Sequence, residues 1–200
     1  MAGAATVAVA LSPPVDARAD ATLAAHMVQH VVLTMAAAPL LAAGLRRPAR
    51  AHPLPAWLLF AATGWLVHFT PLFEAATEHL AVHVVEHALL LGSAVLFWAQ
   101  AVGPEARLPY PLRLLYLVVA MPQNTFVALA IFSASRPLYT HYGSGPAALA
   151  DQRLAGGTMW VAGDLVLLAA VLVVAAAWAG DEERRTVATE AAAAVEPGAQ

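Results

Sequence analysis

The chain has 200 residues, of which 60% are hydrophobic and only 12% are charged, and its mean hydropathy is +0.68. A water-soluble domain of this size cannot bury so much apolar side chain, since soluble domains average about 25% charged residues. The net charge of −3 excludes the basic surface that nucleic-acid binding needs, so no nucleic-acid partner is expected. The absence of Cys excludes disulfides and thiolate metal ligands.

Long apolar segments predict an all-α, polytopic membrane bundle of about five transmembrane helices, in contact with lipid. About 20 residues are enough to span the ~30 Å hydrocarbon core of a bilayer. The apolar segments run 21–45, 55–73, 79–102, 111–133 and 154–179. Residues 1–20 are interpreted as the remnant of a preceding helix or as an outer segment, and 21–179 as the transmembrane bundle. Residues 180–200 are charged and Ala-rich, and we expect them to form a disordered cytoplasmic tail.

The Arg residues predict the orientation in the membrane. One predicted side carries Arg46, Arg47, Arg50, Arg107, Arg113, Arg184 and Arg185, and the other carries Arg18, Arg136 and Arg153. Because Arg accumulates in cytoplasmic loops, we expect the C-terminus in the cytoplasm and the N-terminus outside. A chain rich in Ala and Arg but without Lys is typical of a high-GC bacterium, so the expected location is a bacterial plasma membrane.

Six histidines are predicted to gather near the outer face. A spacing of four residues advances a helix by about 400°, so His26 and His30 share one face. The third segment carries three histidines at this spacing, with Glu86 inside the same stripe. All six lie within about 12 Å of the outer boundary; they are His26, His30, His68, His79, His83 and His87. Polar groups in lipid are expensive, and imidazole is a common metal ligand, so the pattern predicts a metal site.

The residues can be ranked as ligands. The expected metal ligands are His26, His30, His83 and His87, with His68 and His79 in reserve. Met159, near the outer start of the fifth segment, is the favoured thioether, and Glu86 is expected to accept a hydrogen bond from a ligand histidine. Imidazole with thioether suits copper, whereas imidazole alone suits zinc, copper or iron, so the residues leave the metal open.

Further polar groups lie deeper in the predicted membrane. Asp164 is about 15 Å into the fifth segment, and we expect it to be protonated or paired with the polar run that contains Asn124. A path through Glu86, Asp164 and Asn124 would suit a small metal or proton transporter, but no inverted repeat supports that alternative. The run His83–His87 matches the H-x-x-E-H pattern of some zinc peptidases, but nothing else supports a peptidase, and no enzymatic activity is expected.

Ordered motifs follow the chain from residue 12 to residue 178. His26-Met-Val-Gln-His30 is followed by Pro39-Leu-Leu and Gly44. The later motifs are HFTPLFEAA from His68, the H-x-x-E-H run with Phe97-Trp98, Met121-Pro-Gln with Pro137-Leu-Tyr, and Asp151-Gln with Gly156-Gly and Met159-Trp. Together they resemble the CtaG family, whose members are multi-span cytochrome c oxidase assembly factors.

This resemblance implies a role in maturing a haem–copper oxidase, with copper as the expected cofactor and oxidase subunits as the expected partners. Zinc and haem remain open alternatives, and a haem-binding redox protein with axial His ligands is the main competing function. Family members usually begin with one or two more helices, and here only residues 7–17 resemble the end of one.

Overall fold

The computed structural model describes residues 1–45, 51–103, 106 and 108–195, and the regular secondary structure of these residues is helical throughout. Helices α3 and α4 are joined by a π-helical segment, Val32–Ala37, so that Leu23–Ala43 is one uninterrupted helical run. The elements in chain order are α1 (Ala2–Ala10), α2 (Pro13–Ala21), α3 (Leu23–Val31), α4 (Ala38–Ala43), α5 (Pro53–Phe69), α6 (Leu72–Glu78), α7 (Leu80–Ala101), α8 (Tyr110–Phe132) and α9 (Gly145–Val195).

Among the described residues, four helical runs are long and apolar enough to cross a membrane: Leu23–Ala43, α7, α8 and α9. Helices α5 and α6 pass the same test as a pair that bends by 63°, which gives up to five spans. The bend follows from Pro71, because the residue before a proline prefers extended backbone, and Thr70 has φ −122° and ψ 169°. The predicted polytopic all-α bundle is confirmed.

Helix α9 is much longer than its predicted segment. It has 51 residues, from Gly145 to Val195, whereas the sequence predicts a helix over 154–179. The part expected to be disordered is helical as far as Val195, and the last five residues lie outside the described residues. Alanine is the strongest helix former, and ion pairs one turn apart, such as Asp181–Arg184, add to it. The cytoplasmic location of this segment stays a prediction.

Residues 1–20 form the two short helices α1 and α2. Each has nine residues, about 13 Å of helix, which is too short to cross the hydrocarbon core. Helix α1 packs against α4 at Gly3, where a Cβ atom would lie 2.7 Å from the backbone nitrogen of Leu41. The glycine therefore permits a backbone contact that any larger residue would prevent. The placement of this segment outside the membrane remains a prediction.

Helices α8 and α9 approach closely through glycine. A Cβ atom at Gly156 would lie 2.7 Å from a backbone nitrogen of α8, and one at Gly163 would lie 2.6 Å from the Asn124 amide. Small residues of this kind let membrane helices pack backbone to backbone. Beside this contact Asn124 Nδ2 donates to Asp164 Oδ1 (2.9 Å), and the Thr125 hydroxyl donates to Oδ2 (2.6 Å). The structure therefore places Asp164 against the polar run that contains Asn124.

The bundle has two chemically distinct ends. At one end Tyr110 donates to Asp181 (2.5 Å), which brings together the start of α8 and the charged part of α9. At the other end, which we call the histidine end, α2 and α6 meet the loop 133–144, and His141 contacts Asp20 (3.2 Å). Four of the residues behind the predicted orientation lie outside the described residues: Arg46, Arg47, Arg50 and Arg107. The orientation therefore stays a prediction.

Candidate metal centre

Two helices bring four metal-ligating side chains together at the histidine end. Helix α3 contributes His26 and His30, one turn apart, and α7 contributes Glu86 and His87. One ligand atom from each side chain lies within 4.8 Å of the others. All four residues are buried, with exposed fractions of 7% or less. We call this group the His–Glu cluster.

The cluster leaves a buried charge without a partner. Nε2 of His26 lies 3.0 Å from Nε2 of His30, and Glu86 Oε2 lies 3.7 Å from both nitrogens, beyond hydrogen-bonding distance. Within the described part of the chain, neither Glu86 oxygen has a hydrogen-bond partner, and the same is true of His87 Nε2. Burying an isolated carboxylate costs several kcal/mol. The arrangement therefore calls for a proton or a cation between the rings and the carboxylate.

Tyr142, in the loop 133–144, fixes the protonation of one ring. Its hydroxyl donates to the Ala19 carbonyl (3.0 Å), which can only accept. Since a hydroxyl has one proton, His26 Nδ1 must donate to the same oxygen (2.7 Å), which leaves a lone pair on His26 Nε2 facing the cluster. Burial raises the pKa of Tyr142 above its ordinary value, and Asp20 raises it further, so the phenol stays protonated. The sequence offered no signal for this role beyond a hydroxyl in a loop that is predicted to lie outside.

Asp151, near the start of α9, holds the beginning of α3. Its two carboxylate oxygens accept from the backbone N–H groups of Leu23 (2.7 Å) and Ala24 (3.2 Å). These amides have no partner inside their own helix, and the positive end of the helix dipole favours a carboxylate there. Asp151 thus positions the helix that carries His26 and His30. The sequence motif contained Asp151, but no role was expected for it.

The π-helical segment begins two residues after His30. Pro39 lacks the N–H that would bond to the Met35 carbonyl, and its ring crowds that carbonyl, which accounts for the wider helical turn there. In this segment Trp98 Nε1 donates to the backbone oxygen of Thr34 (2.8 Å), and the Thr34 hydroxyl donates to that of His30 (2.7 Å). Together these two hydrogen bonds connect α7 through Thr34 to the end of α3, next to the cluster.

The other side chains expected near the metal are placed differently. His83 is half-buried and flanks the cluster, with its ring centroid 4.2 Å from that of His87 and 5.5 Å from that of His26. His79 is exposed, precedes the first turn of α7 and does not belong to the cluster. Glu86 was expected to hydrogen-bond a ligand histidine from behind, but its carboxylate lies among the ring nitrogens themselves.

His68 and Met159 lie next to the cluster, around a separate small cavity. The cavity has a volume of about 60 Å³, and its wall includes His30, His68, Met35 and Met159. The His68 ring centroid is 5.6 Å from that of His30. The exposed fraction of His68 is 4%, and that of Met159 is 7%. Both are therefore buried beside the cluster without belonging to it.

The donor set suits a transition metal ion. A metal–nitrogen bond of about 2.0 Å places the ligand atoms of a tetrahedral site about 3.3 Å apart. The 3.0 Å between the two histidine nitrogens and the 3.7 Å from each of them to Glu86 lie on either side of that value, whereas the whole group of ligand atoms spans up to 4.8 Å. Three imidazoles and one carboxylate are ligands that zinc, copper and iron all accept, so this geometry leaves the metal undetermined.

The fold and the cluster together define an α-helical membrane protein with a buried group of side chains that could hold a metal ion. The sequence profile of the family described as "Cytochrome c oxidase caa3 assembly factor (Caa3_CtaG)" matches residues 1–50 and 45–181. The chain belongs to this family, and the resemblance predicted from its motifs is confirmed.

Mycobacterial proteins are also similar to this chain. Uncharacterized protein Mb0105 of Mycobacterium bovis and uncharacterized protein MT0111 of Mycobacterium tuberculosis are each 33% identical to it over 131 residues. Uncharacterized protein ML1998 of Mycobacterium leprae is 28% identical over the same length. Each match covers 60% of this chain but only 20% of the relative, so the chain spans about a fifth of the length of these curated relatives. No solved structure gives a significant match.

Proposed function

We propose that this chain is a non-enzymatic assembly factor for a haem–copper cytochrome c oxidase and that it holds copper in the His–Glu cluster at the outer membrane face. Family membership supports the assembly role and makes oxidase subunits the expected partners. The observation that carries the metal site is the Glu86 carboxylate, which is fully buried among imidazole nitrogens and has no hydrogen-bond partner in the described residues.

Copper would be held by Nε2 of His26 and His30, by a carboxylate oxygen of Glu86 and by the His87 ring. The negative charge of Glu86 offsets part of the cation's charge in a region that water does not reach, while the neutral imidazoles supply lone pairs. His83 flanks this set at the half-buried edge, where an arriving ion would meet it first. Copper is preferred over zinc because the family assembles a copper-containing oxidase.

The packing of the rings favours a single ion over haem. A bis-histidine haem needs two imidazoles on opposite faces of a macrocycle. In the cluster the centroids of His26 and His30 are 4.5 Å apart, and those of His30 and His87 are 5.3 Å apart. Three rings this close leave no gap for a porphyrin. The purified protein should therefore show no Soret band, and a strong one would favour the haem-binding alternative.

The metal site is tested by titrating the purified protein in detergent with Cu(I), Cu(II) and Zn(II). The variant His30→Ala with His87→Ala removes one ligand from each helix, so we expect it to lose stoichiometric binding. His79→Ala is the matched control, because it removes an exposed histidine just before the same helix α7, and we expect normal binding. If the double variant still binds copper stoichiometrically, or if the wild type binds none, the assignment is wrong.

The assembly role is tested in cells at limiting copper. Deleting the gene should lower haem–copper oxidase activity while oxidase transcripts stay unchanged. The wild type and His79→Ala should restore the activity, whereas His30→Ala with His87→Ala should not. Normal oxidase activity in the deletion strain would contradict the assembly role. If the double variant restored oxidase activity, the assembly role would not depend on the metal site.

A further inference from the structure

A second group of soft donors lines the cavity of about 60 Å³ on the membrane side of the cluster. Two of the chain's five methionines, Met35 and Met159, lie in its wall together with His68 and His30. Methionine commonly fills irregular gaps in a core. Here two buried methionines line a cavity that remains open. Side chains that only fill space would be expected to close it.

His68 presents an unpaired nitrogen in this region. Its Nδ1 lies 2.8 Å from the backbone carbonyl of Gly64, which can only accept, so Nδ1 carries the ring proton. The lone pair is therefore on Nε2. That atom is buried and has no hydrogen-bond partner among the residues that the structure describes. Since the exposed fraction of His68 is only 4%, solvent does not satisfy this nitrogen.

The lining of the cavity carries no negative charge, and this determines which ion the cavity would favour. Its lining residues include the amides of Gln123 and Asn124 but no carboxylate. The cost of burying an ion rises steeply with its charge, so a site of neutral donors favours a monovalent ion, whereas the cluster with Glu86 can hold a divalent one. Thioether sulfur is a soft ligand and selects Cu(I) among the metals available to proteins.

We propose that this cavity is a second metal position, which takes one soft monovalent ion through His68 Nε2 and the sulfur atoms of Met35 and Met159. The inference rests on the proposed copper function of the chain and adds an inner site to it. His30 lies between the two positions: Nε2 faces the cluster, and Nδ1 is buried without a partner in the described residues. A neutral imidazole has one lone pair, so His30 can ligate an ion at only one position at a time.

The test uses the full chain in lipid nanodiscs, with Cu(I), Ag(I) and Zn(II) as probes. Met35→Leu with Met159→Leu removes both sulfur atoms and nearly preserves side-chain volume, so the fold should survive. Met27→Leu is the matched control, because Met27 is fully buried but does not line the cavity. His68→Ala removes the nitrogen, and Glu86→Gln weakens the outer site alone.

We expect the wild type to bind one more equivalent of Cu(I) or Ag(I) than of Zn(II). The methionine double variant and His68→Ala should each lose that extra equivalent and keep Zn(II) binding, while Met27→Leu behaves like the wild type. X-ray absorption should show sulfur around copper in the wild type and none in the double variant.

The inner site is wrong if Cu(I) and Zn(II) bind in equal amounts without sulfur ligation and the methionine variants change nothing. In that result, loss of binding in His30→Ala with His87→Ala would leave the outer copper site standing. Failure of the wild type to bind any of the three ions would overturn both sites together.

Discussion

Replacing Glu86 by Gln should make the metal-free protein more stable and the metal site weaker. Glu86 is fully buried, and its carboxylate has no hydrogen-bond partner in the described residues. Gln has nearly the same shape without the charge. An unsatisfied buried polar group costs about 1–3 kcal/mol, and an unpaired buried charge costs several kcal/mol. Because Gln stays polar, only the part of the cost that belongs to the charge is removed, so we expect the apoprotein to gain about 1–3 kcal/mol of stability. For a chain of this length each kcal/mol raises the melting temperature by about 2–4 °C.

The same substitution should weaken copper binding. Opposite unit charges about 4 Å apart attract by about 4 kcal/mol at an effective dielectric constant of about 20. We therefore expect the affinity for Cu(II) to fall between about tenfold and a thousandfold, which corresponds to about 1.4–4 kcal/mol.

Thermal unfolding in one detergent, with chelator and then with excess copper, measures both effects. Glu78→Gln is the control, because Glu78 is an exposed carboxylate at the same end of the bundle, and neither quantity should change. The reasoning is refuted if Glu86→Gln destabilises the apoprotein. That result would mean that protonated imidazoles already compensate the carboxylate and that no metal is needed.

Further predictions concern orientation, pH and packing. Reporter fusions should place Gly143 outside and Gly103 in the cytoplasm, and a cytoplasmic Gly143 would contradict both the orientation and the outward metal site. Copper binding should weaken in acid, at a pH below the ordinary imidazole range near about 6.5, since only neutral imidazole binds metal and burial disfavours its protonated form; an affinity that stays unchanged down to about pH 3 would exclude histidine ligands. Gly156→Ala should lower the stability by about 1–3 kcal/mol through its clash with the backbone of α8, whereas Gly92→Ala, which meets no atom within 4 Å, should not lower it in the same melting assay.

Helical spacing predicted the half of the cluster that lies on α3, because His26 and His30 lie one turn apart. The four-residue interval of His26 and His30 puts both rings on one face, and hydropathy locates their helices. The same spacing rule wrongly placed His79 on the helical stripe of α7. It assumed that His79 is helical, but α7 begins at Leu80 and His79 has an extended backbone, so the helical angle between residues does not apply to it. A spacing argument holds only for residues inside the same helix.

The parts that sequence could not supply depend on contacts between distant segments. Whether Glu86 lies among the ring nitrogens or behind them depends on the distance between two helices, which periodicity does not contain. The roles of Asp151 and Tyr142 depend on chain separations of more than 100 residues. The helical end of α9 was missed because a charged composition was weighed above the strong helix propensity of alanine.

Three contacts hold the side chains of the cluster in place without a metal. Asp151 caps α3, Tyr142 orients the His26 ring, and Trp98 joins the π-helical segment to α7. The surrounding fold therefore offsets the cost of burying the Glu86 carboxylate and keeps the four side chains close together without a metal. Under the proposed function, such a site would bind and release an ion without refolding, because these contacts and not the ion hold the helices together. That property suits a protein that passes a metal to a partner better than one that keeps the metal as a structural element.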